Sequence, residues 1–236
     1  MSATRILHVD DEPDIREIVA ISLGLNTEFE VRACACGPDA ITTAAEWSPF
    51  LILLDVMMPG MDGPTTLTHL RDNPRTGNIP VLFMTARAQA REVDQFIALG
   101  AHGVISKPFD PMALAFTVRN HWQTIRLQAL RSAFARRAKD DAELLASCRS
   151  SLCKEPSLAT VERIREIAHR LAGTAGLFGY EQISSDAAAV EEAAVGTELG
   201  GRRTEEVEDL THAINRLLSR MDGIGEATRT RYARSA

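Results

Sequence analysis

Phe50-Leu51-Ile52-Leu53-Leu54 is followed at once by Asp55-Val56-Met57-Met58-Pro59-Gly60-Met61-Asp62-Gly63. The first five residues are apolar without alternation. A strand buried on both faces reads this way, and such strands belong to parallel sheets covered by helices. The next residue is a carboxylate, and a glycine- and proline-bearing turn follows it. An acid at the exit of a fully buried strand is placed for chemistry, because ligands of open parallel sheets collect at the carboxyl ends of their strands.

The same grammar extends in both directions. Short β-rich runs fall at Arg5–Val9, Glu30–Cys34, Val81–Met84 and Gly103–Ser106. Amphipathic stretches near 13–25, 38–47, 64–72, 88–99 and 110–122 separate and follow them. Five βα units predict a doubly wound, five-stranded parallel sheet with helices on both faces. Polar residues stand at the ends of four runs: Asp10 and Asp11 after the first, Asp55 after the third, Thr85 after the fourth and Lys107 after the fifth.

The second half changes character. Neither Gly nor Pro occurs from Met112 to Glu155, so the fifth helix has room to continue into a linker and a further helix. Pro156 suits the first turn of a helix running to about Phe178. Tyr180–Val195 reads as another helix, Gly196–Gly201 as a loop, and Thr204–Met221 as the last helix. Thr204-Glu205-Glu206-Val207 approximates a capping box with Val at the reach-back position. The organisation expected is α/β followed by all-α: 1–122, a helical linker over 123–135, a four-helix bundle over 136–222, and a flexible tail over 223–236.

Composition bounds the function. The 236 residues carry a net charge of −6. Residues 1–122 hold 9 Lys/Arg against 15 Asp/Glu, and residues 123–236 hold 17 of each. No block is basic enough to be a nucleic-acid footprint. No apolar run reaches the ~20 residues of a membrane span, and no secretion signal opens the chain, so the expected compartment is the cytoplasm. The cysteines, Cys34/Cys36 and Cys148/Cys153, lack the matched pairs of a zinc site and read as reduced thiols. Cys34 and Cys36 are expected on one face of the second strand.

Taken together, Val9-Asp10-Asp11-Glu12-Pro13, Leu54 to Gly63, Met84-Thr85-Ala86 and Ser106-Lys107-Pro108-Phe109 resemble a response-regulator receiver domain, a flavodoxin-like fold, over essentially the whole first half. The resemblance implies that Asp55 takes a phosphoryl group. A carboxylate attacking a phosphoryl anion meets charge repulsion, which Mg²⁺ reduces. Asp10 and Asp11 would supply its oxygens, and the resemblance adds Asp55 and the Met57 main-chain carbonyl. Lys107 would hold one phosphoryl oxygen and Thr85 another. Gly60 and Gly63 bracket a turn where φ > 0 is expected, and the bond before Pro108 resembles one that is cis in receivers. Receivers often carry Tyr or Phe three residues before the lysine; Val104 stands there, which departs from the family's threonine–aromatic switch.

The second half carries Ala168-His169-Arg170-Leu171-Ala172-Gly173-Thr174-Ala175-Gly176. At 100° per residue, Ile164, Ile167, Ala168, Leu171, Ala175 and Phe178 form one apolar stripe. His169 falls about 160° from the stripe centre and should face water. Gly173 and Gly176 are expected to leave bare surface beside the imidazole, with Arg165 and Arg170 placed to attract a phosphoryl group. The segment resembles a histidine phosphotransfer (HPt) domain through His169, Leu171 and Gly173. Ala172 occupies a position where that family often has Lys.

The resemblances imply a two-component phosphorelay protein, with phosphoryl acceptance at Asp55 and transfer through His169. Its partners would be a histidine kinase, other receiver domains, or both, without nucleic acid or membrane. No kinase-type ATP loop is present, so the chain is expected to be no kinase. The alternatives are a binding switch, in which phospho-Asp55 changes domain packing, and a phosphate sink. The stimulus and the oligomeric state are not legible.

Overall fold

Every residue of Leu51–Asp55 is buried, and that strand forms the centre of the sheet. The computed structural model describes residues 3–25, 28–86, 89–197 and 203–224, with the side chains of 203 and 204 excepted. Residues 225–236 of the expected tail, 198–201 of the expected loop and the Thr204 cap lie outside the described residues.

The strands are β1 (Thr4–Val9), β2 (Phe29–Cys34), β3 (Leu51–Asp55), β4 (Val81–Thr85) and β5 (Gly103–Ser106). They pair in parallel in the order β2-β1-β3-β4-β5. Helices α1 (Pro13–Gly24), α2 (Gly37–Trp47), α3 (Gly63–Asp72) and α4 (Ala90–Ala98) alternate with them, and α5 (Pro111–Lys154) follows. Strand alternation divides the core between the two faces. Ile6, Leu51, Leu53, Leu82 and Met84 pack with Val19 and Leu23 of α1 and Leu114 and Val118 of α5. Leu7, Val9, Ile52, Leu54 and Phe83 pack with Ala40 and Ala44 of α2 and Leu67 and Leu70 of α3.

The doubly wound sheet is therefore as the sequence reads, and the local starts follow from residue type. Pro sits in the first turn of α1, α2 and α3, where its missing N–H costs nothing. Asp62 caps α3 by accepting from the Thr65 N–H at 2.8 Å. Cys36 corrects one expectation: the strand stops at Cys34, and Cys36 is the N-cap of α2, so the two thiols share no strand face.

The chain divides into two compact units after Leu127. Within the second unit, the C-terminal stretch of α5 joins α6 (Leu158–Ala175), α7 (Glu181–Gly196) and α8 (Arg203–Met221) around one apolar core. Residues 123–135, read as a linker, lie inside α5 without a break near Trp122–Arg126. Pro156 does not open α6. Ser157 does, its Oγ accepting from the Thr160 N–H at 3.3 Å, because a hydroxyl satisfies a first-turn donor that Pro cannot reach. The helix passes into a 3₁₀ turn at Gly176–Phe178.

Candidate functional site

Parallel strands in register deliver their exits to one edge. Asp10 follows β1, Asp55 ends β3, Thr85 ends β4 and Lys107 follows β5. Asp10 is fully buried, and Asp55 and Thr85 nearly so. The Lys107 ammonium ties the group together: Nζ donates to Asp10 Oδ2 at 2.6 Å and also to Asp55 Oδ1. Its backbone N–H donates to the Thr85 carbonyl at 2.7 Å, which fixes where the side chain starts. The other Asp55 oxygen, Oδ2, accepts from the Met57 N–H at 2.7 Å. Both oxygens of the carboxylate are thus held, and its orientation is set.

Burial drives the electrostatics. It pushes the Asp55 carboxyl above the usual carboxylate range, against the lowering pull of Lys107. For Lys107 burial alone would favour the neutral amine, but its bonds to Asp10 and Asp55 win and its pKa rises. Asp11 is half-buried beside this cluster. Among the described residues no three His, Cys, Asp or Glu side chains gather closely enough to enclose a metal unaided. The ammonium stands between Asp10 and Asp55 instead. Asp10, Asp11 and Asp55 carry carboxylate oxygens, the donor type that hard cations take.

The turn after Asp55 uses its glycines differently from each other. Gly60 has φ +77°, as expected. Gly63 does not have positive φ. It is required by space, because a Cβ there would lie 2.3 Å from the Asp55 carbonyl oxygen. Lys107–Pro108 is cis, matching the resemblance. Val104 pairs with Phe83 across β4 and β5, and Phe83 meets Phe96 of α4 with ring centroids 4.7 Å apart.

In the second unit, Val161, Ile164, Ile167, Ala168, Leu171 and Ala175 form the buried stripe of α6. His169 points away from it, with its side chain 78% exposed. Its Nδ1 lies 2.9 Å from Glu191 Oε1 on α7. A cleft of about 280 Å³ lies against Arg165, Glu166, His169 and Glu191. Gly173 is bare: a Cβ at this position would have nothing within 4 Å. Gly176 is not bare in the same sense, since a Cβ there would touch Ser184 Oγ at 3.7 Å. Arg170 also departs from expectation. It pairs with the buried Asp141 of α5 at 2.5 Å, and Arg165 pairs with Glu162 at 2.5 Å.

Two residues beside the sites were not singled out by sequence. His8 is completely buried, with Nε2 3.8 Å from Asp10 Oδ2 and neither ring nitrogen hydrogen-bonded. Desolvation lowers its pKa to about 4. Its position between Leu7 and Val9 in a strand covered on both faces was the available signal. Glu191 gave none, since only the packing of α7 on α6 brings it to His169.

The strand-exit cluster and the exposed imidazole lie in two segments that each match a known domain family. Residues 6–119 match the response regulator receiver domain family, and residues 126–224 match the Hpt domain family. The chain therefore belongs to the receiver family over its first half and joins that domain to an Hpt domain. The first half is 38% identical over 115 residues to the response regulator Rre1 of Synechocystis, covering 49% of this chain and 50% of the relative. It is 43% identical over 122 residues to the response regulator PleD of Caulobacter vibrioides, covering 51% of this chain and 26% of the relative. The matched segment thus spans half or less of those relatives. The chemotaxis protein CheY4 of Vibrio cholerae, a solved structure, is 29% identical with a TM-score of 0.48, covering 50% of this chain and 98% of that one. No helix among the described residues is long and apolar enough to cross a membrane.

Proposed function

We propose that this chain is a phosphorelay protein that takes a phosphoryl group on Asp55 and passes phosphoryl groups through His169. The observation that carries the reading is the Lys107 ammonium bonded to both Asp10 and Asp55 at one sheet edge. An acid fixed there on both oxygens is a poor stabilising device and a well-placed nucleophile.

Asp55 attacks phosphorus as the donor's bond to it breaks. Lys107 shifts from the carboxylate to a phosphoryl oxygen, and the Thr85 hydroxyl donates to another. Mg²⁺, held by Asp10, Asp11, Asp55 and the Met57 carbonyl, would supply the positive charge that lets two anions meet. His169, exposed on α6, offers its ring to a receiver aspartate, either Asp55 or one on another protein. A histidine kinase or further receiver domains are the partners of this chemistry. Transfer between Asp55 and His169 within one chain is tested by mixing Asp55→Ala and His169→Ala proteins. Transfer seen only between chains refutes the intramolecular route.

The deciding experiment is the chemical stability of label from a radioactive small phosphodonor with Mg²⁺. Acyl phosphate is lost in base, whereas phosphohistidine survives base and is lost in acid. Base-labile label that disappears in Asp55→Ala, with acid-labile label that disappears in His169→Ala, upholds the reading. Label that survives both substitutions overturns it.

A second reading, a phosphorylation-controlled binding switch, is favoured by α4. No residue of that helix is buried, so it is weakly held and free to respond to Asp55. Signalling that survives His169→Ala would favour this reading. A phosphate sink, the third role, requires a short-lived phospho-Asp55.

A further inference from the structure

We propose that the first compact unit carries a docking surface for an acidic protein segment, beside the N-terminal ends of β1 and β3 and away from the strand exits. The guanidinium groups of Arg5, Arg32 and Arg126, held on the faces of Trp47, Phe50 and Trp122, take the carboxylates of that segment.

Cations and rings alternate along one row. Arg32 Cζ lies 4.5 Å from the Trp47 ring centre, and Arg5 Cζ lies 5.7 Å from the same ring. Arg5 Cζ is also 5.8 Å from the Phe50 ring. Phe50 meets Trp122 edge to face with centroids 6.0 Å apart, and Arg126 Cζ lies 5.9 Å from the Trp122 ring. The fold dictates this row. Arg5 and Arg32 sit on neighbouring parallel strands, on the sheet face where Leu7, Cys34 and Trp47 pack. The Phe50 N–H donates to the Arg5 carbonyl at 2.8 Å and holds the ring beside that strand. Ile125 is buried in the core of the same unit, which seats α5, and Trp122 and Arg126 are neighbours one turn apart on it.

The three cations lack internal partners. Among the described residues none of them forms an ion pair, whereas Arg119 pairs with Glu28. Glu30 stands opposite Arg5 in register and pairs with neither strand arginine. No Asp or Glu occurs from Pro111 to Lys139, so α5 offers Arg126 no acid. Stability is a weak reason for the row. An exposed cation–ring contact contributes only about 0.5–1 kcal/mol, and two cations sharing Trp47 repel each other.

Recognition is a better reason. Arginine and aromatic side chains are the types enriched where proteins bind proteins. Stacking orders each guanidinium plane before a partner arrives, and the planar fork accepts a carboxylate on two bonds. Phe50, 44% exposed, adds an apolar contact within the row. The occupant these features fit is a short acidic run with an apolar residue in it. A nucleic acid fits less well. Residues 1–122 hold 15 Asp/Glu against 9 Lys/Arg, and a long polyanion meets that excess beyond the row.

Trp47 and Trp122 are the two tryptophans of the chain, so its intrinsic emission reports this surface alone. The full chain is titrated, at about 0.1 M salt, with a peptide of six glutamates around one leucine. A saturable change in tryptophan emission is expected. The double variant Arg32→Gln with Arg126→Gln should bind about tenfold more weakly, and Arg32→Lys about threefold, because an ammonium lacks the planar fork. Glu30→Gln should tighten binding about twofold by removing a neighbouring negative charge. All three altered positions are exposed, and urea midpoints check that the variants fold. No emission change up to millimolar peptide, or equal binding by the double variant, overturns the proposal. Tighter binding of heptathymidylate, which carries six phosphates, overturns the choice of an acidic protein partner and makes the surface a nucleic-acid site.

Discussion

Lys107 Nζ and Asp10 Oδ2 are held 2.6 Å apart, although 97 positions separate the residues in the chain. The same ammonium bonds Asp55, so one cation stands between two buried carboxylates. Removing it leaves both acids desolvated and facing each other. Lys107→Met is therefore expected to lower unfolding free energy at pH 7 by about 2–4 kcal/mol, as for one partner stripped from a buried pair. Asp55→Asn in the same chain should restore part of that loss. Millimolar Mg²⁺ should raise the denaturation midpoint of Lys107→Met more than that of the parent, because the metal replaces the missing charge. Urea titrations with and without Mg²⁺ check both points, and equal Mg²⁺ effects in the two proteins would count against the cation site.

Gly63 tests the geometry of the turn. A Cβ at this position would lie 2.3 Å from the Asp55 carbonyl oxygen and 2.9 Å from the Val56 Cα, both backbone atoms that cannot swing aside. Gly63→Ala should cost roughly 2 kcal/mol or more and displace the acceptor. Labelling of Asp55 by a small phosphodonor should fall at least severalfold even in the fraction that remains folded. Normal labelling would show that the Asp55 position tolerates movement.

The opposite outcome is expected at Gly173. Nothing lies within 4 Å of a Cβ there, and the residue sits inside α6. Gly173→Ala should stabilise the helical unit by about 0.5–1 kcal/mol, since glycine is the weaker helix former. Gly173→Gln should fold equally well yet slow phosphoryl transfer between His169 and a receiver, because its side chain occupies the surface beside the imidazole. Thermal unfolding and transfer rates separate the two effects. Unimpaired transfer in Gly173→Gln would mean that a partner does not approach across this face.

How far these features could be read in advance depended on the range of the interaction behind each. The apolar run Leu51–Leu54 announced β3, since burial on both faces leaves no polar position. Once the strands were parallel, Asp10, Asp55, Thr85 and Lys107 had to meet, because consecutive strand exits share one edge. The exposure of His169 followed from helical phase alone. The partners of α6 did not. Asp141 draws Arg170 away from the imidazole face, and Glu191 reaches His169, only because α5 and α7 pack in one register. No periodicity within a single helix encodes that register. Gly63 was legible as a special glycine, but its reason, the carbonyl of Asp55, required the folded turn.

His8 supplies the pH dependence. Burial lowers its pKa from 6.5 to about 4, with the charges of Lys107 and Arg16 adding to the effect and Asp10 opposing it. Between those values the unfolded chain binds a proton that the folded chain refuses. Stability must then fall as pH drops from about 6.5 towards about 4 and level off below, by up to roughly 3 kcal/mol for this one group. Asp55 acts in the other direction: its raised pKa means that the folded state takes up a proton more readily than the unfolded state across the carboxylate range. Comparing the parent with His8→Leu isolates the histidine. Both His8 ring nitrogens lack a hydrogen-bond partner, so the substitution strands no bonded group and should leave stability at pH 7 unchanged or higher. Urea midpoints measured from pH 7.5 to pH 4 should decline more steeply for the parent, with the two curves separating below pH 6.5. Parallel curves would show that His8 is protonated as readily in the folded protein as in the unfolded chain.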